Sequence, residues 1–218
     1  MATDIRRVGF LLLPGTHPGA VMPALSVLLS ANRMAEQRRY APETYTLDEQ
    51  ALQASDGLSL VAAPWQQCAA GLAQLWLVAD QLPAADALPQ ELVAYLQQAL
   101  AAGVLLGGLE AGVAGLAFAG LLDQHRCSVH WRMLDEFRER FPGVEATTHL
   151  FELSDNLGSS SGGQATTDLF LTLLAQEQGQ DLAALVAEDL VVERIRDGGE
   201  RQRMPLRNRL GSSHPKLT

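Results

Sequence analysis

Short unbroken apolar runs alternate along this chain with stretches in which apolar residues recur every three or four positions. Arg7-Val8-Gly9-Phe10-Leu11-Leu12-Leu13 ends at Pro14-Gly15 and reads as a strand buried on both faces. Pro18 to Gln37 then carries Val21, Leu25, Leu28, Leu29 and Met34 at helical spacing. Glu43 to Asp48 holds Thr44, Tyr45 and Thr46, good strand formers, and Leu58 to Ala62 reads as a short third strand. Leu75-Trp76-Leu77-Val78, before Ala79-Asp80, is the next buried strand, and Pro89 to Ala102 the next helix. Gly103-Val104-Leu105-Leu106 is a further strand, followed by a small-residue helix from Val113 to Ala119. After Gly120 the pattern predicts a strand over Arg126 to Trp131, a helix from Met133 to Phe141 stopped by Pro142-Gly143, and extended chain from Val144 to Leu153. Ser159-Ser160-Ser161-Gly162-Gly163 reads as a turn into a helix from Gln164 to Gln178, with a last helix from about Asp181 to Ile195. Strand and helix in alternation predict an α/β fold with a doubly wound, mostly parallel sheet.

In such a sheet the ligand lies beyond the carboxyl ends of the strands. Those ends carry Thr16 and His17, Asp80, Glu110, and His130 with Trp131. The segment Gly107-Gly108-Leu109-Glu110-Ala111-Gly112 is the most informative of them. Gly108-x-Glu110-x-Gly112, between a strand and a helix, has the form of a nucleophile elbow, with glycines for the tight turn and for close helix packing. A serine or cysteine is expected at its apex; here the residue is Glu110, a poor acyl-transfer nucleophile. A carboxylate at a helix N-terminus is stabilised as the anion, while burial opposes that. Such an anion suits a cationic group, and above all a guanidinium, which makes paired hydrogen bonds with a carboxylate. His130 is expected to orient the ligand or to hydrogen-bond Glu110. Asp80 is a second carboxylate at the rim, and Ala111, Thr16 and His17 complete the expected ligand-binding set. Trp131 reads as core. The competing reading is that Glu110 only caps its own helix.

With 47% apolar residues the chain can bury a substantial core. Cys68 and Cys127 are far apart and lack metal-type spacing, so neither a disulfide framework, a metal nor a cofactor is expected. Cys127, in mid-strand, reads as inert filler. No apolar run approaches a membrane span of about 20 residues, nor does the start resemble a signal peptide; a cytoplasmic protein is expected. The net charge of −9 is uneven: residues 193 to 218 hold seven basic and three acidic residues, a local +4 that leaves −13 on the remainder. The acidic body should repel nucleic acid, while Arg201, Arg203, Arg207 and Arg209 read as a solvated linker or as phosphate contacts in a longer protein.

Several of these residues together resemble a known family. Gly107-Gly108-x-Glu110-x-Gly112, then Ala119-Gly120-Leu121-Leu122-Asp123, Val129-His130-Trp131, Phe137 and Phe141-Pro142 resemble the PfpI/ThiJ-type domain of AraC-family transcriptional regulators, of the flavodoxin-like, class I glutamine amidotransferase-like superfamily. Gly162-Gly163-x-Ala165-x-x-Asp168-Leu169 is similar to that family's Gly-Gly turn into a helix. Glu193-Arg194-Ile195-Arg196, Arg201-Gln202-Arg203-Met204-Pro205-Leu206 and Leu210-Gly211-Ser212-Ser213-His214-Pro215-Lys216-Leu217 resemble the segment before the family's DNA-binding domain, most of all in its arginine-responsive members. The resemblance implies a ligand-sensing, homodimerising domain over residues 1–196. It further implies a linker over 197–218 towards a helix-turn-helix domain, which binds DNA and is absent from this chain. It places the enzymes' cysteine at Glu110 and their histidine at His130; their acid after the first strand has no counterpart in Gly15-Thr16-His17-Pro18. No hydrolysis is therefore expected. The effector implied is a small cationic amino compound such as arginine. An amidase, protease or hydratase of the same fold, and a vestigial domain that binds nothing, are the alternatives.

Overall fold

A computed structural model describes residues 5–14, 16–47, 52–53, 59–68, 71–84 and 87–204. Gly15, Asp48, Leu58 and the segment from Pro205 to Thr218, with Arg207 and Arg209, lie outside the described residues. In chain order the elements are β1 (Arg6–Leu12), α1 (Met22–Met34, after a short 3-10 turn at Pro18–Ala20), β2 (Tyr40–Thr46), β3 (Leu52–Gln53), β4 (Ser59–Leu60), β5 (Ala63–Pro64), β6 (Gln74–Ala79), α2 (Gln90–Ala101), β7 (Leu105–Glu110) and α3 (Val113–Phe118). They continue with β8 (Arg126–Ser128), α4 (Leu134–Arg140), β9 (Glu145–Thr147), β10 (Phe151–Ser154), β11 (Leu157–Ser160), α5 (Gln164–Gln178) and α6 (Gln180–Asp189).

The main sheet has seven strands in the order β10-β11-β7-β6-β1-β2-β5, parallel except for β10. With the two-residue edge strand β5 set aside, the parallel strands run 2-1-3-4-5, the flavodoxin order, whose direction reverses between β1 and β6. Alternation along each strand sorts side chains between two cores. Val8, Phe10, Leu12, Trp76 and Leu109 pack beneath α1, α5 and α6. Leu11, Leu13, Leu75, Leu77 and Leu106 pack beneath α2 and α3. The indole of Trp76 is fully buried across strands that carry Gly107 and Gly158, where a Cβ would approach its ring to 2.0 and 2.8 Å. A large ring on β6 thus defines a small position on the adjacent strand β7 and another on β11 beyond it.

Three expectations require correction. Ser159 and Ser160 are not in a turn; they end β11, a buried parallel strand beside β7. Its sequence, Leu-Gly-Ser-Ser, hides from hydrophobicity because its polar groups are satisfied internally: Ser159 Oγ accepts from the Ser128 N–H at 2.8 Å, and Ser160 Oγ lies 3.0 Å from Thr166 Oγ1. The strand predicted to reach Trp131 stops at Ser128 and pairs with β9 in a separate two-stranded sheet. The last helix ends at Asp189 rather than near Ile195. Val191 and Val192 are β-branched and weak helix formers, and Val191 sits at φ +55°. The chain then turns back so that Arg196 reaches Asp168 on α5.

Candidate ligand-binding site

Glu110 closes β7 at φ +55°, the left-handed conformation that an elbow requires and that a non-glycine residue rarely adopts. Two glycines make this geometry possible. A Cβ on Gly112 would lie 2.0 Å from the Leu77 carbonyl oxygen, so α3 can approach β6 only without one. Gly162, at φ +96°, lies so close that a Cβ there would meet Glu110 Cγ at 2.2 Å. The Glu110 side chain is therefore held against the Ser161-Gly162-Gly163 turn at the start of α5. Ser161 fixes that turn, both its N–H and its hydroxyl donating to the Leu150 carbonyl at 3.0 and 2.9 Å.

Burial pushes the Glu110 carboxyl above its ordinary range, and the negative charge of Asp80 adds to the effect. The Gly163 backbone N–H and His17 partly offset it. Glu110 is thus an acid whose charge is poorly solvated by the protein itself. A cation delivered to it would recover that energy.

Glu110 and His130 line one open cleft of about 380 Å³ with Trp131, Gly162, Gly163 and Gln164, while Arg196, Gln202 and Arg203 line it from the C-terminal side. His130 is half-buried, and burial first, then Arg132, pushes its pKa below the ordinary imidazole value. Its Nδ1 accepts from the Arg132 N–H at 3.2 Å, which orients the ring without using Glu110. Trp131, expected in the core, is partly exposed in the cleft wall, with the Arg132 guanidinium 5.2 Å from its ring centre. The cause is the early end of β8, which leaves His130 and Trp131 on a loop outside the main sheet.

The remaining expected residues serve the frame. Asp80 Oδ1 accepts the His17 N–H at 3.1 Å and acts on Glu110 through its charge, outside the lining of the cleft. His17 Nδ1 accepts from Gly19 N at 2.9 Å and caps the 3-10 turn. Thr16 is buried, its hydroxyl within 2.6 and 2.8 Å of the Leu13 and Val78 carbonyls, so it ties the β1 loop to β6 instead of facing a ligand. Ala111 is buried and its N–H donates to the Ala79 carbonyl at 2.7 Å, leaving no group for a ligand. Cys127 is fully buried, and its thiol is pushed up to about 12 by burial and then by Glu152.

The wall that sequence reasoning missed is a strap over residues 193–204. It has no helix or strand, yet its polar groups are tied to the body. Asp168 on α5, fully buried, receives the Arg196 backbone N–H at 3.0 Å, its Nε at 2.8 Å and its Nη2 at 2.6 Å. Gln202 Nε2 donates to the Val129 and His149 carbonyls, both at 2.9 Å, and its Oε1 accepts the Trp131 N–H at 2.9 Å. Arg194 and Glu200 pair at 2.6 and 2.8 Å, and the Leu150 N–H donates to the Gly198 and Glu200 carbonyls. Packing thus continues beyond residue 196, where the polar composition suggested that a linker begins. The one sequence signal was Asp168, an acid directly before the apolar run Leu169-Phe170-Leu171 of helix α5.

Among the described residues there is no group of three or more side chains suited to hold a metal. Nor is any helix there long and apolar enough to cross a membrane.

No family model matches the chain. It is 44% identical, over its whole length, to the HTH-type transcriptional regulator ArgR of Pseudomonas aeruginosa, of which it spans 65%. A crystal structure of an AraC-family transcriptional regulator from Pseudomonas putida superposes with a TM-score of 0.76 at 29% identity, covering 85% of this chain and 99% of that one. A ThiJ/PfpI-family protein from Pseudomonas syringae superposes at 0.73 with 18% identity, covering 88% of this chain and 77% of that one, a likeness of fold alone. The fold is therefore that of the ThiJ/PfpI proteins. Within that fold, the similarity is to HTH-type and AraC-family transcriptional regulators, and the chain spans less than two thirds of the length of the curated relative ArgR.

Proposed function

We propose that this chain is the ligand-sensing domain of an AraC-type transcription regulator, and that its cleft binds a small cationic amino compound such as arginine through Glu110. The supporting observation is the Glu110 carboxyl, held at an elbow apex facing the cleft with its ionised form disfavoured by burial and by Asp80. A guanidinium supplies the missing counter-charge and two hydrogen bonds in the carboxylate plane. The same substitution argues against hydrolysis: the apex bears no thiol or hydroxyl, Cys127 is buried, and the loop after β1 offers Thr16 and His17 rather than an acid. In the whole regulator, residues beyond the strap lead to a DNA-binding domain. The protein acts in the cytoplasm as a homodimer, as the two half-sites of a regulatory element require. The ligand works by preferring one arrangement of sensor and DNA-binding domains over another.

Thermal unfolding with arginine, ornithine, agmatine and a neutral amino acid, on wild type and Glu110→Gln, tests this reading. Ligand at about 100 times its dissociation constant adds roughly 2.7 kcal/mol, or several degrees for a domain of this size. A shift with a cationic compound that disappears in Glu110→Gln supports it. Absence of a shift with all four contradicts it. One observation favours a rival: the Gly163 N–H faces Glu110, as it would if the carboxylate only capped α5 in a vestigial site. In that case Glu110→Gln lowers stability and no compound restores it.

A further inference from the structure

The cleft has two poles. Glu110, on which the charge of Asp80 acts, lines it at the end of β7, and two arginines of the strap line it as well, Arg196 and Arg203. They are not equivalent. Arg196 is committed, with its Nε, Nη2 and backbone N–H all directed at the fully buried carboxylate of Asp168. Arg203 is exposed, lines the cleft, and has no ion-pair partner among the described residues. Its backbone is held in place by its neighbour: Gln202 is anchored through its side chain to Val129, His149 and Trp131, and its N–H donates to the Thr148 carbonyl at 3.0 Å.

We infer that Arg203 is the specificity-determining residue for an anionic group on the ligand, so that the cleft takes a compound with a cation at one end, on Glu110, and a carboxylate at the other, on Arg203. This inference rests on the proposed role of Glu110. The physical argument is charge balance. A purely cationic ligand satisfies Glu110 but brings a positive charge into a cleft that already holds an uncompensated guanidinium. A ligand bearing a carboxylate at its far end meets that guanidinium in a planar, paired hydrogen-bonding geometry. Such a ligand also bridges two separate parts of the chain. One end contacts the elbow at the end of β7, the other the strap, and occupancy fastens the strap to the body.

Arginine and agmatine decide the matter, since they share the guanidinium and differ in the carboxylate. Titration calorimetry on the 218-residue chain and on Arg203→Gln and Arg203→Lys gives four informative results. Wild type that prefers arginine by about tenfold or more, a preference abolished in Arg203→Gln and partly restored in Arg203→Lys, supports the inference. Wild type that binds both compounds equally overturns it and leaves the Glu110 reading standing. A preference that survives unchanged in Arg203→Gln assigns the carboxylate elsewhere and overturns it as well. Failure of both compounds to bind overturns the Glu110 reading, and this inference with it. Trypsin gives a readout independent of affinity. Cleavage after Arg201 and Arg203 should slow with saturating arginine and not with saturating agmatine; equal protection by the two overturns the bridging role.

Discussion

The elbow and the strap line one cleft, and different forces hold them. The elbow lies between β6 and β11 in the middle of a parallel sheet, with buried side chains on both faces and α3 pressed against it through Gly112. Displacing Glu110 would require moving the sheet. The strap has neither helix nor strand, and a few polar anchors hold it: the Asp168–Arg196 pair, the three side-chain bonds of Gln202, and carbonyls that receive the Leu150 N–H. Segments with few buried apolar contacts open at lower free energy than the core. The comparison teaches that one cleft can join a wall held by the sheet to a wall held by polar anchors, so that a ligand touching both would act on the second. Changes aimed at each wall separate these roles.

The largest effect is expected from Asp168→Ala. It leaves Arg196 without a counter-charge and opens a hole in α5, and breaking a buried pair from one side destabilises by about 3–5 kcal/mol. Because Arg196 retains some access to water, the lower end applies, which is roughly 6–12 °C in melting temperature for a chain of this length. A loss under about 1 kcal/mol by urea unfolding would show that the strap is held by its other anchors. Gly112→Ala probes the opposite wall. Its methyl group meets the Leu77 carbonyl oxygen, a backbone atom in the sheet core, so about 2–3 kcal/mol is expected, with loss of the elbow geometry. Retention of both stability and ligand binding would mean that α3 can move and that the elbow is less rigid than its packing implies.

Gln202→Ala should have a smaller effect, confined to one wall. It strands the Trp131 N–H and removes donors from the Val129 and His149 carbonyls, for about 1–2 kcal/mol. Hydrogen exchange should report faster opening over residues 196–204 and unchanged protection in β7 and α3. Faster exchange in both regions would remove the distinction between the walls.

How much of each wall could be read from sequence follows from the same physics. The elbow announces itself because its constraints are local: an apolar run, glycines where backbones crowd, and a polar residue between them. The doubly wound, mostly parallel sheet was likewise implied by the alternation of buried strands and amphipathic helices, and its flavodoxin-like class by the family resemblance. β11 was invisible because Leu157-Gly158-Ser159-Ser160 is fitted to Trp76 and to hydroxyl partners distant in sequence. The strap was invisible because its stability comes from pairs such as Asp168–Arg196 and Gln202–Val129, which no periodicity encodes. Polar residues that read as a solvated linker are tied here to the body by hydrogen bonds and line the cleft. Thr16 and Ala111 went the other way: position at a strand end suggested ligand contact, and the backbone claimed both.

The smallest effect is the one that separates charge from shape in the rigid wall. Burial and Asp80 raise the Glu110 carboxyl above its ordinary value of 4.5, so the folded state binds its proton more tightly than the unfolded chain does. The stabilisation from this group is therefore fully present below pH 4.5 and is lost as the pH rises through the higher folded value. Once ionised, the carboxylate is a burden on the free protein. Glu110→Gln keeps the shape and removes the charge. It should match or exceed wild-type stability at pH 7, with the difference vanishing below pH 4.5. Affinity for a cationic ligand should follow the opposite course in wild type, growing as the pH passes the folded value and the anion forms, and remaining weak throughout in Glu110→Gln. Melting curves and ligand titrations from pH 4 to 8 check both trends. If Glu110→Gln is instead clearly less stable at pH 7, the carboxylate is a structural cap for α5, and the two walls of the cleft differ in rigidity alone.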